Sequence, residues 1–413
     1  MNDKSYLPMK DFVSSYNDLC TDISVRNLSI ALKNDKGNVV VKHITVSDKR
    51  ADFSTTLRFV ERFVKTMLWA YGGYEFIFCG QFAAEIAEEL SLIYSPNGAR
   101  KFDYDFFKKV YSLPLFFHES NSDNFPKEKI TPVFPNLEGS GNRIGFDAGG
   151  SDRKVTAVKD GKVVFENETV WLPKINSDIN YHIDGVADSV KFALDALDGK
   201  CDKIGVSTAG IVVGNEIRVA SLFVAVDDKV FAEKGTKIYA DLERKFNAPV
   251  SVINDGDAAA LAGSMQIKKG CVLGIAMGTS LACGYIGSQN EITGYLNELA
   301  FIPVDANENG FADPWSGDSG VGAAYLSQDG IINLFREEGG VLNPDNTPAE
   351  KLKEVQALCN KGDKIAEEVF TRAGEIFGDF ILYLTEFYDI KFVNAMGRVV
   401  SGKGGDILID KAD

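Results

Sequence analysis

From Arg143 onward, short apolar runs alternate with stretches of helical periodicity, and few folds accommodate that alternation. IGFDAGG and KVTAVKDGKVVFENETV read as strands, with a tight turn at Asp160-Gly161. Val186, Val190, Ala193, Leu194 and Leu197 then recur at helical spacing. KIGVSTAG reads as the next strand, and SVIND as one running into the Ala-rich helix DAAALAGSM. CVLGIAMGTS and ACGYIG form a strand pair around a turn. A long helix is expected from about Lys364 to Phe387, leading to a buried strand FVNAMGRVV. Strands interleaved with helices place the chain in the α/β class.

The first 140 residues use a related grammar. NLSIALKNDKGNVVVKHITV reads as a hairpin turning near Gly37. Val60, Phe63, Val64, Met67 and Leu68 mark the buried face of a helix, and YEFIFCG the strand after it. The order and spacing fit either a degenerate repeat of the β-β-β-α-β opening of the second region or an unrelated α+β domain. This copy lacks a Gly-rich turn, so chemistry is expected downstream. His118 to Asn142, polar and with three prolines, reads as a linker or long connection. The expected organisation is an N-terminal α/β region over 1–140 and two subdomains over 141–253 and 254–413.

Composition narrows the class of partner. The 413 residues carry a net charge of −15, nearly all of it beyond residue 140. That acidity disfavours nucleic acid and anionic membranes as partners. No run approaches the ~18 apolar residues of a membrane span, and MNDKSYLPMKD lacks the pattern of a secretory signal, so the cytoplasm is expected. Six scattered cysteines without a CxxC pair read as reduced structural thiols, and the three histidines offer little for a zinc site.

Four polar strand ends carry the chemistry. Asp147-Ala148-Gly149-Gly150-Ser151, followed by Lys154, offers glycines that let backbone N–H groups approach a phosphate, a hydroxyl and a cation as further donors, and an Asp able to hold Mg²⁺ through water. A glycine hairpin with a capping Asp accounts for it equally well. Asn254, Asp255 and Asp257 converge where a β-branched strand enters a helix, although one cap needs only one such residue. The helix N-terminus favours an ionised Asp255, able to accept a proton. Gly278-Thr279-Ser280 forms a small hydroxylated strand tip suited to phosphate. Asn394 to Asp406, with Gly397, Gly404 and Gly405, reads as a strand opening into a glycine-rich loop against which a base and ribose could lie.

Taken together, IGFDAGGSDRK, INDGDAAALAG, GIAMGTSLACGYI and GYLNELAFIPVD resemble the ROK family of sugar kinases and sugar-responsive repressors, within the actin/hexokinase/Hsp70 ATPase superfamily. The resemblance covers roughly Arg143 to Asp410. It implies an actin-like (ribonuclease H-like) two-subdomain kinase fold, with transfer of the ATP γ-phosphoryl group to a hydroxyl of a sugar or sugar derivative. Asp255 matches the catalytic base. Asp147, Gly149, Gly150, Ser151 and Lys154 match the first phosphate loop, and Gly278 and Thr279 the second. Gly397, Gly404 and Gly405 take the adenosine side. Asn254 and Glu298 match sugar ligands, and ATP with Mg²⁺, held at Asp147 through water, is the implied cofactor set.

The departures from the family pattern are specific. A His expected after Glu298 is Phe301 here, the zinc-binding cysteines fall at Pro314, Ser316 and Val321, and a second sugar-contacting Glu falls at Ala323. No zinc site is therefore expected, and glucose itself is in doubt. Asp318, with Asp313 and Trp315, is available to serve a different sugar, the other reading being a solvated polar loop. The chain stops at Lys411-Ala412-Asp413, short of the closing helices usual in the family, so the adenosine pocket is expected to be built differently or the chain to be cut short. A small-molecule sugar is the expected partner, and a homodimer is compatible with the family. The alternative is a non-catalytic sugar- or nucleotide-sensing regulator of the same fold.

Overall fold

The computed structural model describes residues 6–21, 25–135 and 140–413, and the chain divides into two compact units. Unit 1 joins Met1–Val133 to Gly263–Asp413, and unit 2 spans Phe134–Ala262. This division differs from the boundaries expected at 140 and 253. The leading region packs with the carboxy-terminal segment, and the break after the catalytic-type motif falls within the Asp255–Ile267 helix. Asn136–Gly139 of the expected linker lie outside the described residues.

Unit 1 holds two sheets. In the first, β1 (Val25–Lys33), β2 (Val39–Ser47), β3 (Glu75–Gly80) and β4 (Phe116–Glu119) lie in the order β2-β1-β3-β4. The hairpin turns at Gly37, whose φ of 74° suits a residue without a Cβ. Here β3 runs antiparallel to β1. In unit 2 three strands, not two, precede the corresponding helix, and the strand after it runs parallel to its neighbour, so the leading region has neither the element order nor the topology of a repeat. The supposed linker is laced to unit 1 at both sides of its middle, by bridges Val39–Lys129 and Val133–Ile292.

The Phe53–Tyr71 helix explains why the leading region cannot stand apart. It buries the anticipated Val60, Phe63, Val64, Met67 and Leu68, but also Glu61, Lys65 and Thr66. A helix buried nearly all round belongs to a core, and its polar groups need partners there. Thr66 Oγ1 meets Tyr383 Oη at 2.7 Å, and the carbonyls of Ala70 and Trp69 accept the N–H groups of Asn297 and Glu298 at 2.9 and 3.1 Å. Lys65, 1% exposed, donates to Asp103 at 2.7 Å and lies 2.8 Å from Asp318. Beside it Trp69 packs against Phe106, Phe107 and Phe301, with Trp315 closing on Phe301.

Unit 2 is a five-stranded sheet in the order β11-β8-β5-β6-β7, made of β5 (Asn142–Ala148), β6 (Asp152–Lys159), β7 (Lys162–Val170), β8 (Lys203–Thr208) and β11 (Val250–Asn254). The short pair β9 (Ile211–Val213) and β10 (Glu216–Val219) stands beside it. The strands β5, β6 and β7 form an antiparallel meander, whereas β5, β8 and β11 are parallel. The Ile179–Asp195 helix buries Val186, Val190 and Ala193 against Ile144, Phe146, Ile204 and Val206. Asp178 caps it, accepting the Asn180 N–H at 2.9 Å.

The second sheet of unit 1 has the order β13-β12-β14, with β12 (Val272–Met277), β13 (Leu281–Ile286) and β14 (Phe392–Met396). The strand expected to be buried is instead an edge strand, with Phe392 and Val393 about two-fifths exposed. The helix before it spans Lys364–Leu384, and a further helix, Gly402–Ala412, occupies part of the expected glycine loop.

Removing the buried cation tests this account of the leading region. Lys65→Met leaves Asp103 and Asp318 buried without it and is expected to cost about 3–5 kcal/mol. Urea unfolding followed by tryptophan fluorescence measures the loss, and an unchanged midpoint would refute the structural role assigned to Lys65.

Candidate active site

The parallel register of unit 2 aligns the sequence motifs at one sheet edge. Asp147 on β5 stands level with Ser207 on β8, which stands level with Ile253 on β11. One residue further, Ala148, Thr208 and Asn254 form the next row. The carboxyl ends of parallel strands are where open α/β sheets bind ligands. Asp147, Asn254 and Asp255 therefore meet there although 108 residues separate the first from the last.

Asn254 is the helix cap. Its Oδ1 accepts the Gly256 N–H at 2.7 Å, and its Nδ2 donates to the Gly210 carbonyl at 2.8 Å. Each end of the amide thus makes one bond to backbone, which fixes Asn254 in place and leaves one N–H and one lone pair for a ligand. Asp255, the first residue of the helix, accepts the Gly256 N–H at 3.0 Å. Burial pushes its carboxyl above the ordinary value; the Gly256 N–H pulls the other way, and the charge of Asp147 adds to the rise. Desolvation here outweighs the helix N-terminus that the sequence suggests would favour the ion.

The first glycine turn follows β5. Gly149 sits so close to Asp152 that a Cβ would lie 2.8 Å from its carbonyl oxygen, and the Gly149 carbonyl accepts Trp171 Nε1–H at 2.8 Å. Ser151 Oγ donates to Asp152 at 3.0 Å. Lys154 faces Asp147 across the hairpin and pairs with Asp152 at 3.0 Å, its side chain half exposed. A second cation, absent from the sequence reading, lies alongside: the Lys174 side chain would be 3.5 Å from a Cβ placed on Gly150. Nothing local in Leu172-Pro173-Lys174 signals this, because the approach is made through the fold.

Unit 1 gathers its own set. Ala276 of β12 pairs with Met396 of β14, so the Gly278 turn and Gly397 lie at neighbouring strand ends. Gly397 has φ 105°, and a Cβ there would lie 2.3 Å from the Met277 carbonyl oxygen. The Gly278 N–H donates to the Ser280 carbonyl at 2.9 Å, while Thr279 and Ser280 are exposed. Glu298, partly buried, enters the short 3-10 turn Leu299–Phe301.

Three expectations change. Gly404 and Gly405 are buried inside the first turns of the Gly402–Ala412 helix, where a Cβ would strike Phe370 at 2.5 Å and the Val400 backbone at 2.1 Å. They are packing glycines, not an open loop for a nucleoside. Asp318 is neither solvated nor free for a sugar, because Lys65 and Arg100 hold its carboxylate. At the family's His position, Phe301 belongs to the aromatic cluster of Trp69, Phe102 and Trp315. Among the described residues no group of three or more His, Cys, Asp or Glu is arranged to hold a metal, and no helix is long and apolar enough to cross a membrane.

The raised Asp255 pKa has a stability consequence of definite sign. Between the ordinary carboxylate pKa and the raised one, the folded chain binds the proton more tightly than the unfolded chain, so rising pH destabilises it. Asp255→Asn keeps the acceptor for Gly256 and removes that penalty. Its melting temperature is expected above wild type at pH 7, with the gain vanishing as pH falls below the ordinary carboxylate range. A differential scanning series over pH reads this directly, and a variant less stable at pH 7 would contradict it.

Comparison with known proteins agrees with the geometry. Among curated proteins, none matches the sequence. The ROK hexokinase from Thermus thermophilus shares the fold at a TM-score of 0.52 and 17% identity, over 65% of this chain and 87% of that one. A ROK family transcriptional regulator, a homolog of the E. coli MLC protein, does so at 0.51 and 15%, over 67% and 69%. A family model described as ROK family matches residues 143–404, about two-thirds of the length, and the chain belongs to that family.

Proposed function

We propose that the protein is an ATP-dependent sugar kinase in which Asp255 takes the proton of the attacking hydroxyl. The observation carrying this reading is Asp255 itself, a buried carboxylate of raised pKa at the strand end that also bears Asp147 and the glycine turn. Phosphoryl transfer asks mainly for positioning and charge neutralisation, with one group to accept the hydroxyl proton. A base whose pKa lies nearer the working pH holds that proton better in the transition state. Asn254 fixes the start of the helix and with it the Asp255 backbone. Glu298 is a further candidate for a sugar hydroxyl.

Within unit 2, the turn at Gly149, Gly150 and Ser151, with Lys154 and Lys174 supplying charge, is a candidate phosphate element; within unit 1, the Gly278-Thr279 turn is another. Gly397, next to that turn, is the adenosine-side element. Magnesium is compatible with Asp147, an oxygen donor whose charge adds to the raised pKa of Asp255. Asp147 would hold it through water. When bound, the ion would neutralise charge on the transferring phosphoryl group.

A second reading is supported by the fold shared with a transcriptional regulator and by the ion pairs that Asp318 makes with Lys65 and Arg100. In it the chain binds sugar or nucleotide without turnover.

ADP release from Mg-ATP, measured across hexoses, amino sugars and N-acetylated sugars, separates the two. Sugar-dependent turnover is expected, falling by about 10²–10⁴-fold in folded Asp255→Asn. Ligand binding in calorimetry without turnover on any sugar would establish the sensor instead. Lys174→Ala is expected to raise the KM for ATP roughly tenfold, as loss of one charge-assisted contact. An unchanged KM would remove Lys174 from the phosphate site.

A further inference from the structure

A cavity of about 360 Å³ opens within unit 1, between the Phe53–Tyr71 helix and the 305–319 segment. Three guanidinium groups line it, Arg58, Arg62 and Arg100, with the carboxylates Glu61, Asp305, Glu308 and Asp318. None of these residues belongs to the site described above, apart from Asp318, which the fold has withdrawn from it.

Hydrogen-bond accounting shows which polarity is left over. Glu61 is saturated: it accepts from Arg62 Nε at 2.6 Å, Arg100 Nε at 2.8 Å and Tyr94 Oη at 3.0 Å. Asp318 is ion-paired with Lys65 and Arg100, and its Oδ2, buried and without a hydrogen bond, lies 2.8 Å from the Lys65 ammonium that neutralises it. Asp305 accepts the N–H groups of Leu7 and Asn307 at 2.9 and 2.8 Å, and the Tyr325 hydroxyl. Glu308 is four-fifths exposed and only 3.6 Å from Arg58.

The donors are not used up in the same way. Arg62 is 11% exposed, gives Nε to Glu61, and keeps a buried Nη2 with no partner. Arg58, nearly half exposed at the rim, spends one amino group on the Ala306 carbonyl at 2.8 Å. An unpaired buried cationic donor is costly, and a ligand oxygen reaching Arg62 Nη2 would satisfy it. Guanidinium forks match planar and tetrahedral oxyanions in particular.

We propose that this cavity is a second ligand site, taking a small oxyanion, either a carboxylate or a phosphate group, between Arg58, Arg62 and Arg100. Two of these arginines come from the helix whose last carbonyls accept the N–H groups of Asn297 and Glu298. The leading region, outside the family match, thus contributes all three cations.

The test is calorimetric titration of the full chain with inorganic phosphate and, separately, with acetate; the arm that binds identifies the anion. Binding is expected to weaken roughly tenfold or more in Arg58→Ala and in Arg62→Met, and to persist in Lys154→Ala and Lys174→Ala, which alter the phosphate turn. Should Arg62→Met fail to fold, Arg58→Ala, at the exposed rim, decides alone. Titration of neither anion, equal binding by Arg58→Ala and wild type, or loss only in the Lys154 and Lys174 variants would overturn the assignment. Absence of kinase turnover would leave each of these outcomes readable.

Discussion

A helix buried along most of its length must find a partner for each polar atom it brings inside, and unit 1 is arranged around that demand. The Phe53–Tyr71 helix carries Glu61, Lys65 and Thr66 into the core. Their partners come from Asp103 and Arg100 nearby, from Asp318 more than two hundred positions on, and from Tyr383. Burial works against the charge on Lys65, but the attraction of Asp103 and Asp318 outweighs it, and its pKa is raised. Ionised, the group ties the leading region to the segment that follows Glu298. Such a cluster gives less net stability than an apolar core would, but breaking it is costly, which makes the arrangement specific.

The same economy governs the chemistry in unit 2. Parallel pairing brings strand ends together without local sequence contact, so a carboxylate from β5 and one following β11 share a neighbourhood. Burial there raises the affinity of Asp255 for a proton, while Asn254 beside it caps the helix.

Local chemistry was legible where a motif acts over a few residues. The hairpin at Gly37, the buried face of the Phe53–Tyr71 helix, the Gly149 turn and the entry of Asn254-Asp255 into a helix all follow from spacing, turn preferences and capping. Glycines were ambiguous, since absence of a Cβ serves a ligand or a neighbouring backbone equally. Gly397 yields to the Met277 carbonyl, and Gly404 to the ring of Phe370. A one-dimensional pattern cannot distinguish these uses, because the atom approached lies far along the chain.

The sequence by itself determined the α/β class, the polar strand ends and the family to which residues 143–404 belong. Those depend on periodicity and on short motifs, which are local properties. Only the tertiary structure decided strand direction in the leading sheet, the joining of that region to the carboxy-terminal segment, and the fate of Asp318. A carboxylate becomes a ligand or an ion-pair partner according to the cations folded around it, and Lys65 and Arg100 reach Asp318 only through the packing of distant helices.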